Sequence, residues 1–162
     1  MLDVECDSTL PLLWADGPQI QQALLNLLLN AEHALAQRDQ PCIAIRLFLG
    51  RVTAGPPPLL PNIESHSMPE HGDLAAVIDV ADNGPGLPEQ IRNRLFEPFV
   101  TTRPVGQGTG LGLATTYGIV AQHGGAVLVA SVADRGTSFR IVLPYTSHSG
   151  PFEIPDARAP SD

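Results

Sequence analysis

Three short stretches of this sequence hold residue types whose spacing suits chemistry. In "QIQQALLNLLLNAEHAL", Asn26 and Asn30 stand four apart, so on a helix both project from one face. Amides on an apolar helix face are costly unless bonded. They are either satisfied by local backbone or offer carbonyl oxygens to a hard cation. Magnesium takes oxygen ligands and keeps phosphate oxygens and waters among them. In "VIDVADNGPGLP", Asp82 closes an apolar run and Asn83, Gly84 and Gly86 follow. This reads either as a plain turn, which Asp-Asn-Gly favours, or as a pocket carboxylate. Such a carboxylate can accept from an exocyclic amine such as that of adenine, with glycines admitting a flat base. In "GQGTGLGLATT", Gly106, Gly108, Gly110 and Gly112 alternate where a helix opens. Backbone amides at a glycine-rich helix start form an anion site with the macrodipole behind it.

These stretches need elements to hold them. Asp16 to Asp39 reads as a helix, with Asp16 as its cap and Pro18 in its first turn. Ile20, Leu24, Leu27, Leu28, Ala31 and Leu35 recur at three- and four-residue steps. "PLLWAD" before it reads as a short strand. "CIAIRLFLG" and "LAAVIDVAD" read as strands joined by residues 51–73, a proline-rich segment expected to be a mobile insertion at a hairpin tip. "LPEQIRNRLF" is a short helix, and Gly110 to Gly125 a longer one ended by paired glycines. "AVLVASV" and "GTSFRIVLP" form a hairpin around "ADRG". Residues 1–146 are expected to make one domain and residues 147–162 a flexible tail. The order implies an α/β (α+β) two-layer sandwich, one mixed sheet with helices on a single face.

The bulk composition narrows the chemistry. All nine basic residues are arginine and the chain has no lysine. A P-loop and a eukaryotic-type protein kinase fold each need a lysine, so both are excluded. A net charge of −8 argues against nucleic acid as the main partner. No apolar run is long enough to span a membrane, and the acidic start lacks the basic region of a signal peptide. A cytoplasmic setting is expected. Cys6 and Cys42 match no metal spacing and read as reduced structural thiols.

The Asn-bearing helix, "DNGPGLP", "LFEPFVTTRP" and "GQGTGLGL", in that order, resemble the N, G1, F and G2 boxes of bacterial sensor histidine kinases. The resemblance runs from about Pro11 to Pro144. It implies the Bergerat ATP-binding fold, shared with Hsp90, DNA gyrase and MutL, with about five strands and about three helices. It implies ATP and Mg2+ as ligands, with Asn30 as the magnesium ligand and Asn26 one turn earlier, both at the catalytic centre. Asp82 matches the residue that bonds the adenine amino group, and Gly84 and Gly86 match the G1 glycines. Phe96 and Phe99 match the aromatics that anchor a lid over residues 96–108. Gly108, Gly110 and Gly112 match the phosphate loop, and Thr137 a polar position near the adenine. Thr101, Thr102, Arg103, Gly106, Thr109 and Leu111 complete the implied nucleotide-contacting set. Arg103 stands where close relatives commonly carry lysine. His33, one turn after Asn30, is either a phosphate contact or a surface histidine.

Hydrolysing members of the superfamily carry glutamate where this chain has Asn26, and an amide cannot take a proton from water. The implied function is therefore an ATP-binding catalytic domain that holds Mg-ATP for γ-phosphoryl transfer to a histidine. None of the five histidines sits in an acceptor context, so that histidine is expected on a separate dimerisation domain, with a response regulator downstream. The chain is accordingly expected to be an isolated catalytic domain. The alternatives are a nucleotide-binding regulatory module and a hydrolysing ATPase of the same superfamily.

Overall fold

The computed structural model describes residues 1–8, 10–52, 72–102 and 108–145. Five strands and three helices follow one another as β1 (Leu2–Cys6), α1 (Gly17–Ala34), β2 (Ile43–Arg51), β3 (Leu74–Asp82), α2 (Glu89–Arg92), α3 (Gly112–Gln122), β4 (Ala126–Val132) and β5 (Gly136–Pro144). The strands form one mixed sheet in the order β1-β2-β3-β5-β4. β1 runs parallel to β2, and every other pair is antiparallel.

Register decides which face each side chain takes, because strand side chains alternate. Val80 pairs with Ile45 and Phe139, and Ile78 with Leu47 and Ile141. Ile78, Val80, Phe139 and Ile141 join Ala23 and Leu27 of α1 and Ile119 and Val120 of α3 in one core, with Leu47 packed against it. Ile91 of α2 packs against the same core. All three helices therefore cover one face of the sheet. Asp82 is two residues beyond Val80, so its carboxylate projects on the helix side, directly opposite Thr137. On the other face Arg140 grips Asp79 through two hydrogen bonds of 2.7 Å, with its guanidinium 5.9 Å from the Phe48 ring.

The start of α1 and the end of α3 follow their sequence signals. Asp16 Oδ1 accepts from the Gln19 N–H at 3.1 Å and caps α1, with Pro18 in the first turn. α1 stops at Ala34, short of the expected Asp39, in a tight turn where the Leu35 N–H reaches back to Ala31 O. α3 ends in a paired-glycine cap. Gly124 N–H bonds Ala121 O, Gly125 N–H bonds Val120 O, and Gly124 has a φ of 66°. His123 links the two helices: its Nε2 accepts from the Asp16 N–H at 3.0 Å while Nδ1 lies 2.8 Å from Ile119 O.

The expected strand at Pro11–Asp16 is not one. The strand that enters the fold is Leu2–Cys6, and Pro11–Asp16 runs as irregular chain into α1. Pro11 lacks a ladder donor, and Leu12 and Trp14 are exposed rather than packed on the sheet. "LDVEC" carries the alternation of apolar and acidic residues that a half-exposed edge strand shows. β2 and β3 do pair as an antiparallel hairpin, closed by Val52 N–H on Asp73 O and Gly72 N–H on Val52 O. Most of the expected insertion between them, and the tail 147–162, lie outside the described residues. Among the described residues no helix is long and apolar enough to cross a membrane.

Candidate functional site

The end of β3, the outer flank of α1 and the start of α3 surround a cleft of about 770 Å³. At its inner end stands Asp82. Its Oδ1 accepts from the Gly84 N–H at 2.8 Å and from the Thr137 N–H at 3.3 Å. Burial pushes this carboxyl above the usual carboxylate range, and the two backbone bonds act in the opposite direction. Thr137 is buried, and its hydroxyl lies 3.2 Å from that of Ser131, which in turn accepts from the Leu87 N–H at 2.7 Å. The base of the β4–β5 hairpin, the turn after β3 and Asp82 are thus one bonded unit. Leu87, Ile91, Leu95, Leu113 and Phe139 supply an apolar wall to the cleft.

The glycines of the turn after β3 have structural causes of their own. A Cβ at Gly84 would sit 2.8 Å from Asp82 Oδ1 and 3.0 Å from Ala34 Cβ. Position 84 is thus closed by the protein itself, where the sequence reading reserved the space for a flat ligand. Gly84 does not border the cleft, whereas Gly86 does.

At the other end lies the start of α3. Asn26 Nδ2 donates to Gly112 O at 3.1 Å, and Asn26 Oδ1 accepts from Gln22 Nε2 at 3.1 Å. The buried Thr116 hydroxyl also donates to Gly112 O, at 2.9 Å. Asn26 therefore fastens α1 to the first residue of α3. Asn30 lines the cleft on the next turn. His33 lines it too, with Nδ1 2.6 Å from Leu29 O. Gly110 takes a φ of 64°, and its N-terminal neighbourhood is crowded: a Cβ there would lie 2.5 Å from the Phe99 carbonyl carbon. Gly110 O accepts from the Phe99 N–H at 2.9 Å, so residues 99 and 110 are clasped together.

The structure brings Asn26, Asn30, His33, Asp82 and Gly86 to the cleft from α1 and the end of β3. Thr101, Thr102, Thr109, Gly110, Gly112 and Thr137 also border it. Phe96 does not line it; its ring packs 5.2 Å from that of Tyr117 of α3, against the core. Phe99 is 75% exposed, with a φ of 67°, and lies off the cleft as well. Gly108 and Leu111 are described but do not border the cleft. Arg103 and Gly106 lie outside the described residues. The sequence reading missed the apolar wall, although Leu87, Ile91 and Leu95 recur every four residues. It also missed Arg38, which borders the cleft and carries no sequence signal beyond its charge.

Comparison with known proteins finds relatives in sequence and in fold. The family described as "Histidine kinase-, DNA gyrase B-, and HSP90-like ATPase" matches residues 15–147. The sensor kinase CckA of Brucella abortus (strain 2308) is 36% identical over 135 residues, which cover 82% of this chain and 13% of that protein. The sensory histidine kinase/phosphatase NtrB of Rhodobacter capsulatus is 38% identical over 147 residues, 89% of this chain and 37% of that one. The chain thus spans well under half the length of these relatives. Among solved structures, the catalytic domain of histidine kinase ThkA superposes with a TM-score of 0.63 at 26% identity, covering 90% of this chain and 80% of that one. Full-length ShkA in complex with AMPPNP gives 0.61 at 28% identity, covering 93% of this chain and 27% of that one.

Proposed function

Because the chain belongs to the histidine kinase-, DNA gyrase B- and HSP90-like ATPase family, we propose that its cleft holds Mg-ATP and presents the γ-phosphoryl group to a histidine on a dimerisation domain. In this reading a response regulator receives the group afterwards. The observation that carries the reading is the placement of Asp82. One oxygen is held by two backbone N–H groups, so the other is oriented to accept from an adenine amine. The wall of Leu87, Ile91 and Phe139 suits the faces of a purine, and the start of α3 suits the phosphates.

The donor set fits a cation that arrives with the nucleotide. Among the described residues no group of three His, Cys, Asp or Glu side chains is placed to hold a metal. Asn30 offers an amide oxygen where the phosphates would lie, and magnesium bound there would neutralise phosphate charge. Phosphoryl transfer asks the protein mainly for positioning and electrostatic balance. Asn26 serves positioning. Both ends of its amide are bonded within the protein, so it offers no base to a water molecule. That supports transfer over hydrolysis. Phe99, Leu111 and Leu29 are exposed apolar groups next to the clasp and the cleft, which suits a partner docking there.

The reading is tested by mixing the chain and labelled Mg-ATP with a histidine-bearing dimerisation domain from a relative. Label should pass to that domain, and free phosphate should accumulate far more slowly. Steady ATP turnover without transfer would contradict it.

A further inference from the structure

Arg38 lies just past the end of α1, and among the described residues its guanidinium bonds to backbone carbonyls alone. Nε donates to Asn83 O at 2.7 Å, and Nη2 donates to Asp134 O at 2.7 Å, with Gly84 O at 3.4 Å. None of the described ion pairs includes it. One side chain therefore joins three segments that meet nowhere else in sequence: the exit of α1, the turn after β3 and the β4–β5 turn. Other bonds close the same junction. Asn83 Oδ1 accepts from the Cys42 N–H at 2.9 Å, Asn83 Nδ2 donates to Gln40 O at 2.8 Å, and the Asp134 N–H donates to Pro85 O at 2.9 Å.

The bond to Asn83 O has a particular consequence. Asn83 O and the Gly84 N–H are the two ends of one peptide unit, which is planar and turns as a whole. Arg38 holds its carbonyl end, and Asp82 Oδ1 accepts from its N–H end at 2.8 Å. A cation on the carbonyl also polarises the peptide and strengthens the N–H as a donor. We propose that Arg38 is a positioning residue for adenine recognition, fixing through the Asn83–Gly84 peptide the carboxylate orientation of Asp82. The inference rests on the reading of Asp82 as the base-contacting group. Lysine cannot replace arginine here, because a single ammonium cannot span the fork that reaches Asn83 and Asp134 together.

A double-mutant cycle on ADP affinity, measured by titration calorimetry on the whole chain, tests it. The proteins are the wild type, R38A, D82N and the R38A/D82N pair, with folding checked by circular dichroism. Residues that act through one another are non-additive. R38A should weaken ADP binding about tenfold in the wild-type background and less than about twofold in the D82N background. R38K, which keeps the charge and is gentler on folding, should show a smaller loss that also vanishes with D82N. Equal losses in both backgrounds, or no loss, would overturn the role of Arg38. Failure of the wild type to bind ADP would instead overturn the reading of the cleft.

Discussion

Asp82 carries a conflict that makes it measurable. Burial favours its protonated form, while the backbone N–H groups of Gly84 and Thr137 favour the ionised form. The folded chain therefore holds this proton more tightly than the unfolded chain. Stability from this group is fully present below the unfolded value and is lost as pH rises through the higher folded value. Ligand binding has the opposite trend. ADP affinity should fall as pH drops through the raised value of Asp82, because the acceptor is then capped by a proton. In D82N that segment of the pH profile should be flat, and affinity at neutral pH should be about ten- to a hundredfold lower, the loss of one charge-assisted bond. Calorimetry from the ordinary carboxylate range up to neutral pH reads both. Parallel profiles for the two proteins would remove Asp82 from the site. At this scale the sequence picked out Asp82, Asn26 and Asn30, which the fold brings to one cleft, but left open whether each bonds within the protein or to a ligand. Arg38 was not readable, since an arginine after a helix looks the same whether it is solvated or holds three carbonyls. The cause of glycine at 84 was likewise hidden, because Ala34 comes near only through the fold.

At the scale of elements, α1 and α3 define the distance between the two ends of the cleft. Asn26 joins α1 to the start of α3, and His123 joins the end of α3 to the start of α1. The clasp between Phe99 and Gly110 then ties residue 99 to the chain just before α3. Gly110→Ala tests the clasp. An alanine there meets the left-handed backbone penalty of about 1–2 kcal/mol. It also meets the Phe99 backbone, 2.5 Å from the new Cβ. The expected result is weaker binding of ADP, with far-UV circular dichroism unchanged, since the strain falls beside α3 and not within the sheet. Unaltered ADP affinity would show that the clasp does not shape the phosphate end. α1, α3 and the interior strands were legible at this scale from their apolar periods, whereas α2 takes only four of the ten residues expected. The first strand was not: five residues at the sheet edge, all exposed, bury too little to print a strong pattern, and "PLLWAD" has the more apolar composition.

For the molecule as a whole, one core stands behind one face of the sheet and the site sits at its rim. Leu27 is completely buried in that core, on the same helix as Asn26 and Asn30. Leu27→Ala should lower the free energy of unfolding by about 3–5 kcal/mol in urea titrations. A loss below about 1 kcal/mol would mean that α1 is not packed as described. The sheet order and the parallel pairing of β1 with β2 could not be read from local pattern, since pairing partners are set by packing between distant segments. The family resemblance implied a mixed sheet of about five strands but neither its order nor its pairing. The central claim is that one ligand joins Asp82 to the start of α3. Its most direct test is the backbone amide spectrum of the chain titrated with Mg-ADP. The account predicts that Gly84 and Thr137, and equally Gly110 and Gly112, shift together along one binding curve. Shifts confined to one end, or centred on the face that carries Asp79 and Arg140, would contradict it.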